Sequence, residues 1–209
     1  MTRRRLLTAA GVYGALATAA LAWTATAGDS SLMQTRPWLA IGRPGAIGAS
    51  VVGGVLLAGA IVGASQKLVR RTAWARNLHL AFRELLGPLR PWEIAVFALT
   101  SGIAEELFFR GAMQPILGLW ASSLVFGILH VGPSRTFVPW TLSALAVGLL
   151  LGALFAATGE LIGPMVAHVL INYENLHFIE GFDPVGQHGR RIEPPSLVGR
   201  NLRADQPPM

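Results

Sequence analysis

Ten residues, Ser101–Arg110 (SGIAEELFFR), place two carboxylates and a guanidinium inside an otherwise apolar run, between VFALT and GAMQPILGLW. Charge at bilayer depth costs about 2.5–3.5 kcal/mol per group on insertion scales, so such groups face a cavity, pair with one another, or do both. On a helix Glu106 and Arg110 are i,i+4 neighbours and can form a local ion pair that lowers the cost. Glu105 lies about 100° around the same helix and is left to face something else. The asymmetry predicts one structural and one chemical carboxylate. Taken alone, the motif also fits two juxtamembrane carboxylates snorkelling to an interface.

Two further patterns lie downstream. Phe126-x-x-x-His130, in SLVFGILHVG, puts an aromatic ring and an imidazole on one helix face. His168-x-x-x-Asn172, in MVAHVLINYEN, does the same for an imidazole and a carboxamide in an apolar run. Each alone reads as a hydrogen-bonded core residue or a helix–helix pair. Together, groups this costly to bury on three separate helices converge only through bundle packing. They would form a general-base site in a wet cavity or a metal site. In the first, Glu105 takes a proton from water, His130 orients that water, and His168 with Asn172 donates to the oxyanion of a tetrahedral intermediate. In the second, Glu105, His130 and His168 bind zinc or another divalent ion whose open position holds the water.

The ordered set EExxxR, FxxxH and HxxxN, present here as EELFFRG, FGILH and HVLIN, resembles the CAAX-processing and bacteriocin-processing protease family, which includes the type II CAAX prenyl endopeptidases. The resemblance implies an α-helical intramembrane endopeptidase with its site in a cavity near one membrane face. It assigns Glu105 as the water-activating glutamate, Glu106 as its neighbour and Arg110 as the supporting arginine. His130 becomes the second water-contacting residue, and His168 with Asn172 the oxyanion-binding pair. It leaves a metalloendopeptidase and a glutamate-activated water both open. Nothing before Trp92 matches a motif, and about six spans is fewer than the larger eukaryotic relatives carry.

Other chemistries find little support. The chain has no cysteine, which excludes disulfides, thiolate metal sites and a cysteine nucleophile. HExxH, GxSxG and phosphate-binding glycine loops are absent. Ser101, Ser122 and Ser123 read as backbone-bonded helix serines. His79, His177 and His188 read as solvated, and Glu174 as an interface charge near the cavity mouth.

The elements that position these groups follow from composition. The 209 residues are 52% hydrophobic and 13% charged, with the apolar residues in long blocks. This predicts an all-α, polytopic transmembrane helix bundle of about six spans with an added interfacial helix. The spans are Leu6–Ala27, Ala46–Ser65, Trp92–Phe109, Leu117–His130, Val138–Thr158 and Leu161–Ile179, and the interfacial helix lies around Leu78–Leu86. They divide into a two-span region with a basic loop (1–91), a protease core (92–180) and a loose tail (181–209). Gly59 and Gly63 form a small-xxx-small pair suited to close packing. Trp92, Trp120 and Trp140 stand where interface aromatics are expected.

A net charge of +6, with Lys67 as the single lysine, could suggest nucleic acid. The arginines instead flank apolar blocks, which points to membrane orientation and no nucleic-acid partner. Their bias places both termini in the cytoplasm, and the small Ala/Gly/Arg-rich chain suits a bacterial inner membrane. TRRR before the first apolar block and Ala25-Thr26-Ala27 after it also imitate a cleavable signal, the competing reading of residues 1–27. The expected partners are the bilayer and a membrane-embedded or membrane-tethered protein or peptide substrate. Two other classes share the pattern: a non-catalytic membrane scaffold or immunity protein, and an ion or solute transporter. The latter lacks the expected internal repeat.

Overall fold

The computed structural model describes residues 3–27 and 31–184. These form α1 (Arg3–Ala27), α2 (Arg43–Arg71), α3 (Ala73–Leu86), α4 (Pro91–Glu106), a π-helical stretch (Leu107–Met113), α5 (Gln114–Leu129), a 3-10 turn (Arg135–Phe137), α6 (Val138–Thr158) and α7 (Ile162–Gly181). No strand is present among the described residues. In lipid every backbone amide must be satisfied within its own segment, and only helices or closed barrels achieve that.

Among the described residues, four helical runs are long and apolar enough to cross a membrane: Leu7–Thr26, Arg43–Arg71, Pro91–Leu129 and Arg135–Thr158. The chain is an integral membrane protein. The third run has 39 residues, and at 1.5 Å per residue a straight helix of that length would reach about 58 Å, nearly twice a hydrocarbon core. It is broken at Gly118, where φ is 80° and ψ 169°. A side chain would strain that conformation, so glycine is needed at the turn. Beyond it the chain doubles back, bringing Phe126 onto Phe109 and His130 towards Glu105. One apolar run thus makes two passes.

The remaining contacts set the directions. α7 runs antiparallel to α4, with Gly102 against Val169 and Ser101 against Asn172. It runs parallel to α2, with Ser50 and Gly54 against Gly163 and Ser65 bonded to Asn175. α1 runs parallel to α4, and Trp23 packs edge-on against Phe108. The result is six helices of alternating direction, α1, α2, α4, α5, α6 and α7. The end of α2, all of α3 and the start of α4 gather Lys67, Arg70, Arg71, Arg76, Arg83 and Arg90 at one end of the bundle.

Several expectations change here. The stripe of α2 that packs is Ala46, Ser50, Gly54 and Ala58. Gly59 and Gly63 have open space where a side chain would go, because they lie one step around the helix from the face turned to α7. The interfacial helix starts earlier than Leu78. It presents Trp74 and Leu85 outward, 46% and 48% exposed, while its other face caps α7.

That cap accounts for His79, which is buried rather than solvated. The last carbonyls of a helix have no partner within it. Arg83 Nη1 donates to the carbonyls of Ile179, Glu180 and Phe182 at 2.9, 3.1 and 2.8 Å. His79 Nε2 donates to the Phe182 carbonyl at 2.8 Å. Burial lowers the His79 pKa below its ordinary value, and the Phe182 carbonyl opposes that shift. His177 is half-buried. Its ring meets Tyr173 at 4.5 Å, and its Nε2 is buried. His188 and the tail beyond residue 184 lie outside the described residues.

At the opposite end, residues 31–42 form a strap across the α6–α7 turn. Thr35 and Trp38 amides donate to the Gly159 and Ala156 carbonyls, and Leu161 to that of Met33. Arg43 Nε pairs with Glu160 Oε1 at 3.5 Å. α6 ends on Gly159 in the left-handed region, φ 74°.

Candidate active site

The site begins where α4 widens into the π-helical stretch Leu107–Met113. Such stretches re-aim side chains by adding a residue to a turn, and they recur at functional positions. Here Arg110 turns inward and is 1% exposed. Its Nη1 donates to Glu106 Oε1 at 2.8 Å and its Nη2 to the Gly148 carbonyl at 3.1 Å. The guanidinium lies 4.4 Å from the centre of the Phe126 ring, a cation–π contact strengthened by the absence of water. One turn on, Gln114 Nε2 donates to the Gly152 carbonyl at 2.8 Å. A side chain at Gly152 would collide with Leu119 and Gln114, and one at Gly148 would crowd Phe126. These glycines let α6 approach closely enough to present its carbonyls.

Glu106 is fully buried. Its Oε1 also receives a hydrogen bond from His168 Nδ1, at 2.8 Å. A carboxylate oxygen accepts, so the His168 hydrogen sits on Nδ1 and the ring is held with Nε2 facing away from Glu106. The Glu106–Arg110 pair read from the i,i+4 spacing is present, and it also orients an imidazole. α7 can come this close because Gly102 lies directly against Val169.

Glu105 occupies the other side of α4. Its Oε2 is buried with no hydrogen-bond donor. It lies 3.5 Å from His130 Nε2 and 3.9 Å from His168 Nε2. His130 ends α5, and its Nδ1 donates to the Phe126 carbonyl at 2.7 Å, which again leaves Nε2 to face the carboxylate. Two carboxylates against one guanidinium give this buried cluster a net negative charge.

The fold therefore brings Glu105, Glu106, Arg110, His130 and His168 together. Asn172 lies one turn further along α7, and its Nδ2 donates to Ser101 Oγ at 2.9 Å. Ser101 donates in turn to the Phe97 carbonyl at 2.7 Å. Ser101 is backbone-bonded as its sequence context suggested, but its role as acceptor for Asn172 was not legible from spacing. Trp140 is half-buried. Its ring stands 5.3 Å from His130 and 5.3 Å from Phe82 of α3, because α6 starts at the level where α5 ends. Trp92 and Trp120, by contrast, are 50% and 75% exposed.

For a metal, Glu105, His130 and His168 are the available donors. Among the described residues no group of three such side chains is arranged to hold an ion.

Residues 87–173 match the family model described as type II CAAX prenyl endopeptidase Rce1-like. Over these residues the chain resembles that family. The Rce1-like match runs from the end of α3 through the first half of α7 and contains every residue of the cluster. The chain is also 40% identical over 81 residues to a Bacillus subtilis (strain 168) protein described as uncharacterized protein YpbD. That similarity covers 38% of this chain and 41% of the relative, so the chain spans about two fifths of the relative's length. No solved structure matches the chain.

Proposed function

We propose that this chain is an intramembrane endopeptidase that hydrolyses a peptide bond in a membrane-tethered protein or peptide, with Glu105 as the base. The observation that carries the reading is Glu105 Oε2, a buried carboxylate oxygen without a donor, facing the free Nε2 atoms of two imidazoles. The Rce1-like match over the same residues supports the same class.

In this mechanism a water donates its two O–H groups to Glu105 Oε2 and His130 Nε2. Glu105 removes one proton as the water oxygen bonds to the scissile carbonyl carbon. The oxyanion is received by the second N–H of Asn172, beside the His168 ring that Glu106 holds through its bond to Nδ1. Collapse of the intermediate breaks the C–N bond, and the proton on Glu105 passes to the leaving amine. Glu106 and Arg110 hold the ring and do not touch substrate. The basic end of the bundle marks the cytoplasmic side.

The test uses full-length protein in liposomes and a quenched-fluorescence peptide with a farnesylated CAAX end. Wild type should cleave it, and Glu105→Gln and His130→Ala should each lower kcat by about 10²–10⁴-fold. 1,10-Phenanthroline should leave wild-type cleavage unchanged. Wild-type turnover by Glu105→Gln would remove the mechanism, and no cleavage by wild type would favour the scaffold reading.

A further inference from the structure

The two imidazoles of the site are held in different ways. His168 lies inside α7, and Glu106 Oε1 fixes its ring at 2.8 Å. His130 lies just past the end of α5, at φ −95° and ψ 28°, where no further turn of helix supports it. Its Nε2 stands 3.5 Å from Glu105 Oε2. Such polar contacts weaken steeply as they lengthen, so a small swing of this helix end would lose it.

The first turn of α6 supplies the missing support. Thr141 Oγ1 donates to the His130 carbonyl at 2.9 Å, while the Phe137 carbonyl, four residues back on its own helix, is 3.5 Å away. A helix hydroxyl ordinarily takes that i−4 carbonyl. Ser143, two residues on, does so, donating to Pro139 at 2.7 Å. Thr141 instead turns its donor across to α5.

The neighbouring Trp140 places its ring 5.3 Å from the His130 imidazole, with 65° between their planes. The Phe126 ring lies 4.2 Å from the same imidazole. Trp140 is itself met edge-on by Phe82 of α3, at 5.3 Å and 87°. Aromatic pairs at these separations attract one another. Gly132, in the turn between the two helices, allows the fold-over, because a side chain there would collide with Phe137.

We propose that Thr141 and Trp140 are positioning residues of the site. The Thr141 hydroxyl fixes the His130 backbone at the end of α5, and the Trp140 ring limits how far its imidazole can turn, so that Nε2 stays at Glu105. His130 thereby gains from α6 what His168 gains from Glu106. The inference rests on the endopeptidase reading, and goes beyond it by giving α6, which carries none of the three motifs, a part in the reaction.

The test uses full-length protein in liposomes with the farnesylated CAAX peptide. Thr141→Val keeps the shape and removes the donor. It should lower kcat about tenfold, the value of one well-placed hydrogen bond, with KM within about twofold. Thr141→Ser restores the donor and should recover wild-type kcat. Trp140→Leu should lower kcat by more than Trp140→Phe, which keeps an aromatic edge and carries the test if the leucine variant does not fold. In a His130→Ala background Thr141→Val should cost nothing further, because it acts through that residue. Ser143→Ala, which removes an ordinary i−4 hydroxyl from the same helix, should be neutral. Wild-type kcat and KM in Thr141→Val or in both Trp140 variants, with Glu105→Gln inactive, overturns the role and leaves the endopeptidase reading standing. Equal losses in Thr141→Ser and Thr141→Val, or a further loss in the His130→Ala background, overturn it too. Full activity in Glu105→Gln, or no cleavage by wild type, removes that reading and this inference with it.

Discussion

His168 Nδ1 lies 2.8 Å from Glu106 Oε1, the same oxygen that accepts from Arg110 Nη1 at 2.8 Å. One carboxylate oxygen thus neutralises a guanidinium on its own helix and fixes the tautomer of an imidazole on another. The expense of burying Glu106 and Arg110 is tied to the placement of the residue that faces Glu105.

Removing Glu106 should therefore damage both stability and activity. Glu106→Ala leaves Arg110 buried and uncompensated, which typically costs about 3–5 kcal/mol. Pairing it with Arg110→Met should recover most of that loss, since an apolar side chain needs no counter-charge, but not the activity, because His168 stays unheld. Thermal unfolding followed by tryptophan fluorescence, with peptide cleavage measured in parallel, separates the two effects.

The approach of α4 to α7 depends on Gly102. An added Cβ would come 2.8 Å from Val169 Cγ2 and 2.9 Å from the Val169 amide nitrogen, and the backbone has little room to yield. Gly102→Ala should destabilise by about 1–3 kcal/mol and weaken cleavage by moving Glu105 from His168. Gly63→Ala meets nothing within 4 Å and should be neutral for both. Equal melting temperatures for the two variants would contradict the packing described.

His79 should make the α3–α7 contact pH-sensitive. Its pKa in the folded chain lies below the ordinary histidine value of about 6.5, chiefly through burial. Between the two values the unfolded chain binds the extra proton, so stability rises with pH across that window. The contribution is fully present above about 6.5 and is lost as pH falls towards the folded value. Unfolding curves of wild type and His79→Gln from pH 8 to pH 5 should converge as the pH drops, and parallel curves would refute this.

Much of the site was legible because its residues are costly. Glu105, Glu106, Arg110, His130, His168 and Asn172 stand out as polar groups in apolar helices, and a bilayer tolerates such groups only where they have work or partners. His79 was misread, and the contacts of Trp140 went unseen, for the opposite reason. A histidine in a basic loop and a tryptophan near a helix end have ordinary explanations, and nothing local reveals that the end of α7 lies over one and the end of α5 beside the other.

The sequence by itself determined the class of molecule and the set of polar groups carried within its apolar helices. Hydrophobic run length and the cost of buried charge are local properties, readable from residue types and spacing. Only the tertiary structure decided how those groups divide the work. Which Glu106 oxygen His168 takes and that Asn172 rests on Ser101 both depend on packing across many tens of residues. That packing is set by the turn at Gly118, the widened helix at Leu107–Met113 and the side-chain-free approach at Gly102.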